Sequence, residues 1–226
     1  YANQDGTGSH PPSAQDDYFN TGTLDPAWTF YDATEATPAA TADVTTNPGY
    51  LTISGRGNEL WMTWHQIAEV YRSDITGDTF DVSVFVASQT NTHQYAKAGI
   101  LIANDVDNLS AGGMVYMAVT PTDVRLEWDT VTAGNTQGSL TYPAAPSTLS
   151  APCYLRLVRN GTTAYGYCKK NLNDAWTLVG SCSTVAPIST WTSRRPPAMA
   201  WSLDSVWSTG ERSRCSRRTS RCLEAA

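Results

Sequence analysis

The run Tyr95-Ala96-Lys97-Ala98-Gly99-Ile100-Leu101-Ile102 constrains this chain more than any other stretch. It opens a series of short segments: GILIAND, GGMVYMAVTPT, DVRLEWDTV and YLRLVRNGTTAYGY. Each is rich in β-branched and aromatic residues, and each is closed by Gly, Pro, Asn or Asp. Nothing of comparable length reads as helix. The segment Thr79–Ala87 alternates in the same way, with Phe80, Val82, Val84 and Val86 on one face. The middle of the chain is therefore an antiparallel meander, and its chemistry must lie on sheet faces and edge loops. Eleven to fourteen strands are expected in total, enough for two packed sheets.

Composition narrows the function. Of 226 residues, 41% are hydrophobic, which is sufficient for one sizeable core. Only 16% are charged, and just three lysines occur (Lys97, Lys169, Lys170) against 8 Trp and 11 Tyr. With a net charge of −6, the main body is no nucleic-acid or anionic-membrane surface. No apolar run approaches the roughly 20 residues that span a bilayer. The blend suits an extracellular protein meeting neutral polar ligands.

Three regions follow. Residues 1–14 read as a Gly/Pro/Ser linker, residues 15–209 as one all-β sandwich domain, and residues 210–226 as an Arg/Cys-rich tail too polar for a sheet core. That tail reads as a disordered or appended end. No leader is visible, so a secreted form is expected to have lost it.

Five cysteines leave one unmatched in any pairing. Asn160-Gly161 is a strong hairpin signal. A turn on these two residues sets Arg159 opposite Thr162 and Cys153 opposite Cys168, within disulfide reach. Cys182 on the next strand competes for Cys168. Three free buried thiols are the alternative.

Five phrases in order carry a resemblance: DDYFNTGTLDPAWTF, ELWMTWHQIAEVYRSDITGDTFDVSVFV, YAKAGILIANDVDNLSAGGMVYMAVTP, YLRLVRNGTTAYGYCKKNLNDAWTLVG and LDSVWSTG. Together they resemble bacterial jelly-roll modules of the concanavalin A-like lectin/glucanase superfamily, which are often attached to secreted glycosidases. The resemblance covers residues 16–188 best. It implies an antiparallel β-sandwich with one concave glycan-binding face, and a structural calcium ion. The pattern departs in two places. Ile102-Ala103-Asn104-Asp105 stands where an Arg is usual, and an Arg/Pro-rich stretch replaces the closing strands.

Three chemistries are open to these residues. Retaining glycoside hydrolysis needs two carboxyls about 5–5.5 Å apart. Glu127 and Asp129 share a strand face at about 7 Å spacing. The third carboxyl of the glucanase phrase is missing, because Val131 and Thr132 stand there. The plain alternative is a solvated polar face behind Val124, Leu126 and Trp128. A polysaccharide lyase would use His93 or Tyr95 as base, and Tyr95-Ala96-Lys97-Ala98-Gly99 matches a lyase phrase. Gln66-Ile67 is followed by Ala68 rather than the His of the partner phrase. Glycan binding without catalysis would use Trp61, Trp64, His65, Gln66, Arg72, Gln94, Arg125 and Glu127, by stacking and hydrogen bonding.

Trp28, Trp176 and Trp61 are expected in the core. Lys97 is expected to pair with Glu127. The calcium ligands would be Asp16, Asp17, Asp105, Asp107 and Asp204. His10, His65 and His93 show no zinc spacing. The leading expectation is an extracellular carbohydrate-binding module. The alternatives are a hydrolase or lyase on the same fold, and a structural or adhesion subunit. The oligomeric state and the sugar are not encoded in any motif.

Overall fold

The computed structural model describes residues 15–34, 39–55, 57, 60–61, 64–74, 77–106, 109, 113–129, 136–142, 149–183, 198–204 and 223–225. Sixteen strands lie among them. In chain order they are β1 (Thr29–Asp32), β2 (Thr41–Asp43), β3 (Leu51–Ser54), β4 (Leu60–Trp61), β5 (Trp64–His65), β6 (Ala68–Arg72), β7 (Thr79–Ser88) and β8 (Lys97–Ala103). They continue with β9 (Met114–Val119), β10 (Val124–Asp129), β11 (Thr136–Tyr142), β12 (Cys153–Asn160), β13 (Thr163–Lys169), β14 (Thr177–Ser183), β15 (Ala198–Asp204) and β16 (Leu223–Ala225).

Two seven-stranded antiparallel sheets form a sandwich. The first runs β1-β6-β15-β8-β9-β10-β11 and the second β14-β13-β12-β7-β16-β3-β2. A small β4-β5 pair stands apart. The expected meander is intact: β8, β9, β10 and β11 are consecutive neighbours.

The apolar runs dictate which strands sit centrally. Along β8 every residue is buried, and likewise along β9. One face of each feeds the main core: Ile100, Ile102, Val115, Met117 and Val119 meet Val84, Val86, Leu155 and Leu157 of the other sheet. The other face lies under a second cluster, where Leu60, Ile67 and Leu109 cover Leu101, Ala103, Met114, Tyr116 and Ala118. A strand buried on both faces loses its alternation and reads as a continuous apolar run. By contrast β12 alternates buried and half-buried, as a strand with one wet face should.

Glycines set the closest approaches. A Cβ on Gly99 would stand 2.0 Å from the Met117 carbonyl oxygen, so β8 and β9 pack only because it is absent. A Cβ on Gly166 would meet Met117 Sδ at 2.7 Å, where the two sheets touch.

The hairpin register differs from the sequence expectation. Asn160 faces Thr163, and the two-residue loop is Gly161-Thr162. Gly161 takes φ 61°, which fits glycine at the first loop position of a primed turn. The register therefore slides, and Cys168 faces Leu155. Cys153 faces Val86 of β7, and Cys182 faces Ala164. Cys153 and Cys168 are thus diagonal neighbours rather than opposed, and all three are free, buried thiols. Burial pushes each thiol up to about 12.

Two further expectations are corrected. Leu223–Ala225 of the polar tail inserts between β3 and β7, because strand pairing runs through main-chain hydrogen bonds and needs few apolar side chains. β15 sits between β6 and β8. Trp28 is buried as expected, but Trp176 is half-buried, between Arg156 at 5.6 Å and Lys169 at 4.6 Å. Trp61 has only its backbone among the described residues.

Two outcomes are expected. Gly99→Ala should cost stability at the upper end of the roughly 1–3 kcal/mol of overpacking, read as a lower urea midpoint. At pH 8 iodoacetamide should leave Cys153, Cys168 and Cys182 unmodified in the native protein and label them in urea. A Cys153–Cys168 disulfide peptide in the mass map would contradict the register.

Candidate functional site

The site is built on the outer face of the first sheet, at the end where β8 begins. Strand alternation sends Lys97, Gly99 and Leu101 to this face from β8, and Arg125, Glu127 and Asp129 from β10. Gly99 lies in one cross-strand row with Ser202, Ala118 and Arg125, and through Ser202 with Glu69 of β6.

The loop joining β7 to β8 brings Gln89–Ala96 to the rim. Its turn is closed by Ala96 N donating to the His93 carbonyl at 2.9 Å. Tyr95 N donates to His93 Nδ1 at 3.2 Å, and Gln89 Nε2 donates to the Ala96 carbonyl at 2.6 Å. This pins Tyr95 with 40% of its surface exposed. The Arg125 guanidinium lies 4.8 Å from the Tyr95 ring centre, and the His93 ring is tilted beside it at 5.6 Å. Gln94 is exposed next to both.

Arg125 is fixed from behind. Its Nε and Nη2 donate to the two Asp123 oxygens at 2.8 and 2.9 Å, and Thr120 Oγ1 donates to Asp123 Oδ1 at 2.8 Å. Asp123 holds the guanidinium above its usual range, against the opposing effect of burial, with further help from Glu127 and Tyr95. Such a two-toothed contact orients the cation as well as stabilising it.

The carboxylates beneath are out of reach of solvent. Glu127 is 0% exposed, Asp129 2% and Glu69 0%. Lys97 Nζ lies 3.6 Å from Glu127 Oε2, the expected pair, and is itself buried. The expectation of a solvated polar face behind Val124 and Leu126 is therefore corrected. Glu69 was not singled out from the sequence, although the alternation in Ala68-Glu69-Val70 places it on this face.

The other predicted residues scatter. Arg72 is buried on the opposite side of its strand, 5.4 Å from the Trp28 ring, with Nε and Nη2 donating to Asp74 at 3.0 and 2.7 Å. It is a structural anchor for the N-terminal segment and does not reach the glycan face. Gln66 is half-buried just before β6. Trp61 and Trp64 face each other across the β4-β5 pair, with His65 opposite Leu60. Their side chains lie outside the described residues, as does Asp107.

The expected calcium ligands do not converge. Both oxygens of Asp17 accept hydrogen bonds, from Phe19 N at 2.7 Å and Trp28 Nε1 at 2.9 Å. Asp204 stands opposite Lys97, whereas Asp105 follows Ala103 at the far end of β8. Six residues of strand separate those ends, about 20 Å. Asp16 precedes Asp17 on the N-terminal segment. This donor set does not fit a single ion, and among the described residues no three His, Cys, Asp or Glu side chains are placed to hold a metal.

Neither a protein-family model nor a curated protein sequence matches the chain. Solved structures do. A xylan β-1,4-xylosidase from Bacillus halodurans C-125 superposes with a TM-score of 0.63 at 18% identity, covering 96% of this chain and 39% of that one. A GH43 protein from Bacillus licheniformis, BlXynB, gives 0.58 at 14% identity, with 96% and 39% covered. A Bacteroides ovatus mixed-linkage glucan GH16 protein, in complex with its G4G4G3G product, gives 0.55 at 10% identity, with 92% and 95% covered. The chain has the concanavalin A-like jelly-roll fold. The jelly roll spans about two-fifths of the length of the two GH43-type chains and nearly all of the GH16 one.

Within this jelly roll the Lys97–Glu127 pair predicts a specific energetic outcome. Lys97→Met removes the buried cation facing Glu127 and should cost about 3–5 kcal/mol, whereas Lys97→Met with Glu127→Leu should recover most of that loss. Urea unfolding of the wild-type protein and the two variants checks it. Equal losses in the single and double variants would show that the pair contributes nothing specific.

Proposed function

We propose that this jelly roll is an extracellular, non-catalytic polysaccharide-binding module whose binding edge is Tyr95 with His93, Gln94 and Arg125. One observation carries the reading. The aromatic and amide groups of the β7–β8 loop are open to solvent at the rim, while the carboxylates of the adjoining sheet face that catalysis would need are buried. A sugar ring would lay its C–H face on Tyr95, whose opposite flank is stiffened by Arg125. Its hydroxyls would bond to Gln94, His93 and the remaining guanidinium N–H groups. The likeness to two-fifths of the xylosidase and BlXynB chains supports an accessory role beside an enzyme, and the xylan named for the first of them suggests where to begin the ligand search.

A second reading keeps one specific support. The GH16 neighbour matches this chain over nearly its whole length, so the fold alone can make a complete glycosidase. Glu127 and Asp129 would then be the acid pair, or Tyr95 or His93 the base of a lyase.

Affinity electrophoresis against xylan, mixed-linkage glucan and other neutral polysaccharides tests the first reading. Retardation by at least one is expected, and Tyr95→Ala should weaken it about 3- to 10-fold without changing the urea midpoint. Retardation by none of them would sink it. Reducing-sugar release that disappears in Glu127→Gln would replace it with the hydrolase.

A further inference from the structure

A charged side chain lies between the two sheets where it has no obvious task. Arg159, at the turn end of β12, points inward opposite Phe80 of β7 and Ala164 of β13. It is 3% exposed. Nε donates to the Gly161 carbonyl at 2.9 Å. Nη2 is buried and has no hydrogen-bond partner among the described residues. No ion pair with any described residue reaches it, and the Asp78 carboxylate acts on it only through space. The guanidinium also borders a cavity of about 20 Å³, walled by Phe80, Ile102, Ala103, Asn104, Met114 and Ala164 among others. That is space for roughly one occupant the size of a water molecule.

A buried cation is normally matched by a counter-charge. Burial presses on this guanidinium hard enough to lower its proton affinity, and distant Asp78 only partly offsets that. A water molecule would satisfy the Nη2 donor yet leave the charge uncompensated. A chain of net charge −6 repels a divalent anion more strongly than a monovalent one. Mostly apolar walls suit a weakly hydrated ion. We propose that this cavity is a binding site for a small monovalent anion, chloride or bromide, held against the buried Arg159 guanidinium between the two sheets. The anion would join β12 to the ends of β8 and β9, since Ile102, Ala103 and Met114 form the opposite wall. The site is separate from the Tyr95 edge and does not depend on the glycan reading.

Chlorine-35 NMR on the intact chain tests the site directly. Excess chloride line width should appear with folded protein, saturate, and be reversed by bromide but not by gluconate. Exchanging gluconate for chloride at equal ionic strength should raise Tm by roughly 2–4 °C. Both effects should vanish in Arg159→Met and persist in Tyr95→Ala. A line width equal to that of free chloride in the presence of folded wild-type protein would overturn the proposal, as would saturable broadening that survives in a folded Arg159→Met. Should that variant fail to fold, the bromide competition on the wild-type chain decides by itself.

Discussion

Burial of β8 and β9 on both faces is the constraint from which the rest follows. Inward, Ile100, Ile102, Val115 and Met117 make the sheet-to-sheet core. Outward, Leu101, Met114 and Tyr116 lie under Leu60, Ile67 and Leu109. The first sheet therefore cannot be an open platform along its whole length. Apolar cover occupies the end of the face near Ala103. Glu127 and Asp129, in the rows of Tyr116 and Met114, are buried, and the solvent-exposed polar groups stand at the end near Lys97, where a ligand can meet hydrogen-bonding side chains.

That division explains the character of the candidate edge. Lys97 begins as a residue of the buried strand and must find a counter-charge inside the protein, which Glu127 supplies at 3.6 Å. Arg125 sits nearer the rim, where Asp123 holds it bidentately and Tyr95 covers its flat side. Charge compensation thus proceeds outward from a sealed pair to a half-exposed one. The outermost group, Tyr95, is free to meet a ligand. Arg159 is the exception at the other end of the sandwich, where a buried cation borders a small cavity and, among the described residues, pairs with no carboxylate.

Much of this architecture was readable from local pattern. Alternation in Thr79–Ala87 set Phe80, Val82, Val84 and Val86 on one face of β7, and the short apolar segments from Gly99 onward marked the antiparallel meander. Lys97 with Glu127 was readable because a lysine inside an apolar strand needs an anion. The pattern failed where an outcome depended on a single residue of slip. The Asn160-Gly161 signal located the hairpin, yet the loop closed on Gly161-Thr162 and moved Cys168 from Cys153 to Leu155. It also failed for Arg72 and Trp176. Cation–π contacts can seat such side chains on either side of a sheet, and composition cannot say which.

The sequence by itself determined the strands, their antiparallel order through the meander, and the faces on which Glu127, Asp129, Arg125 and Lys97 must lie, because a period of two leaves no other choice. Only the tertiary structure decided how much water each of those groups meets. That depends on which distant segments close over the sheet: Leu60, Ile67 and Leu109 over the outer face, β15 between β6 and β8, and Leu223–Ala225 beside β7. Solvent access is a property of long-range packing, and it separates the two buried carboxylates from the exposed ring of Tyr95.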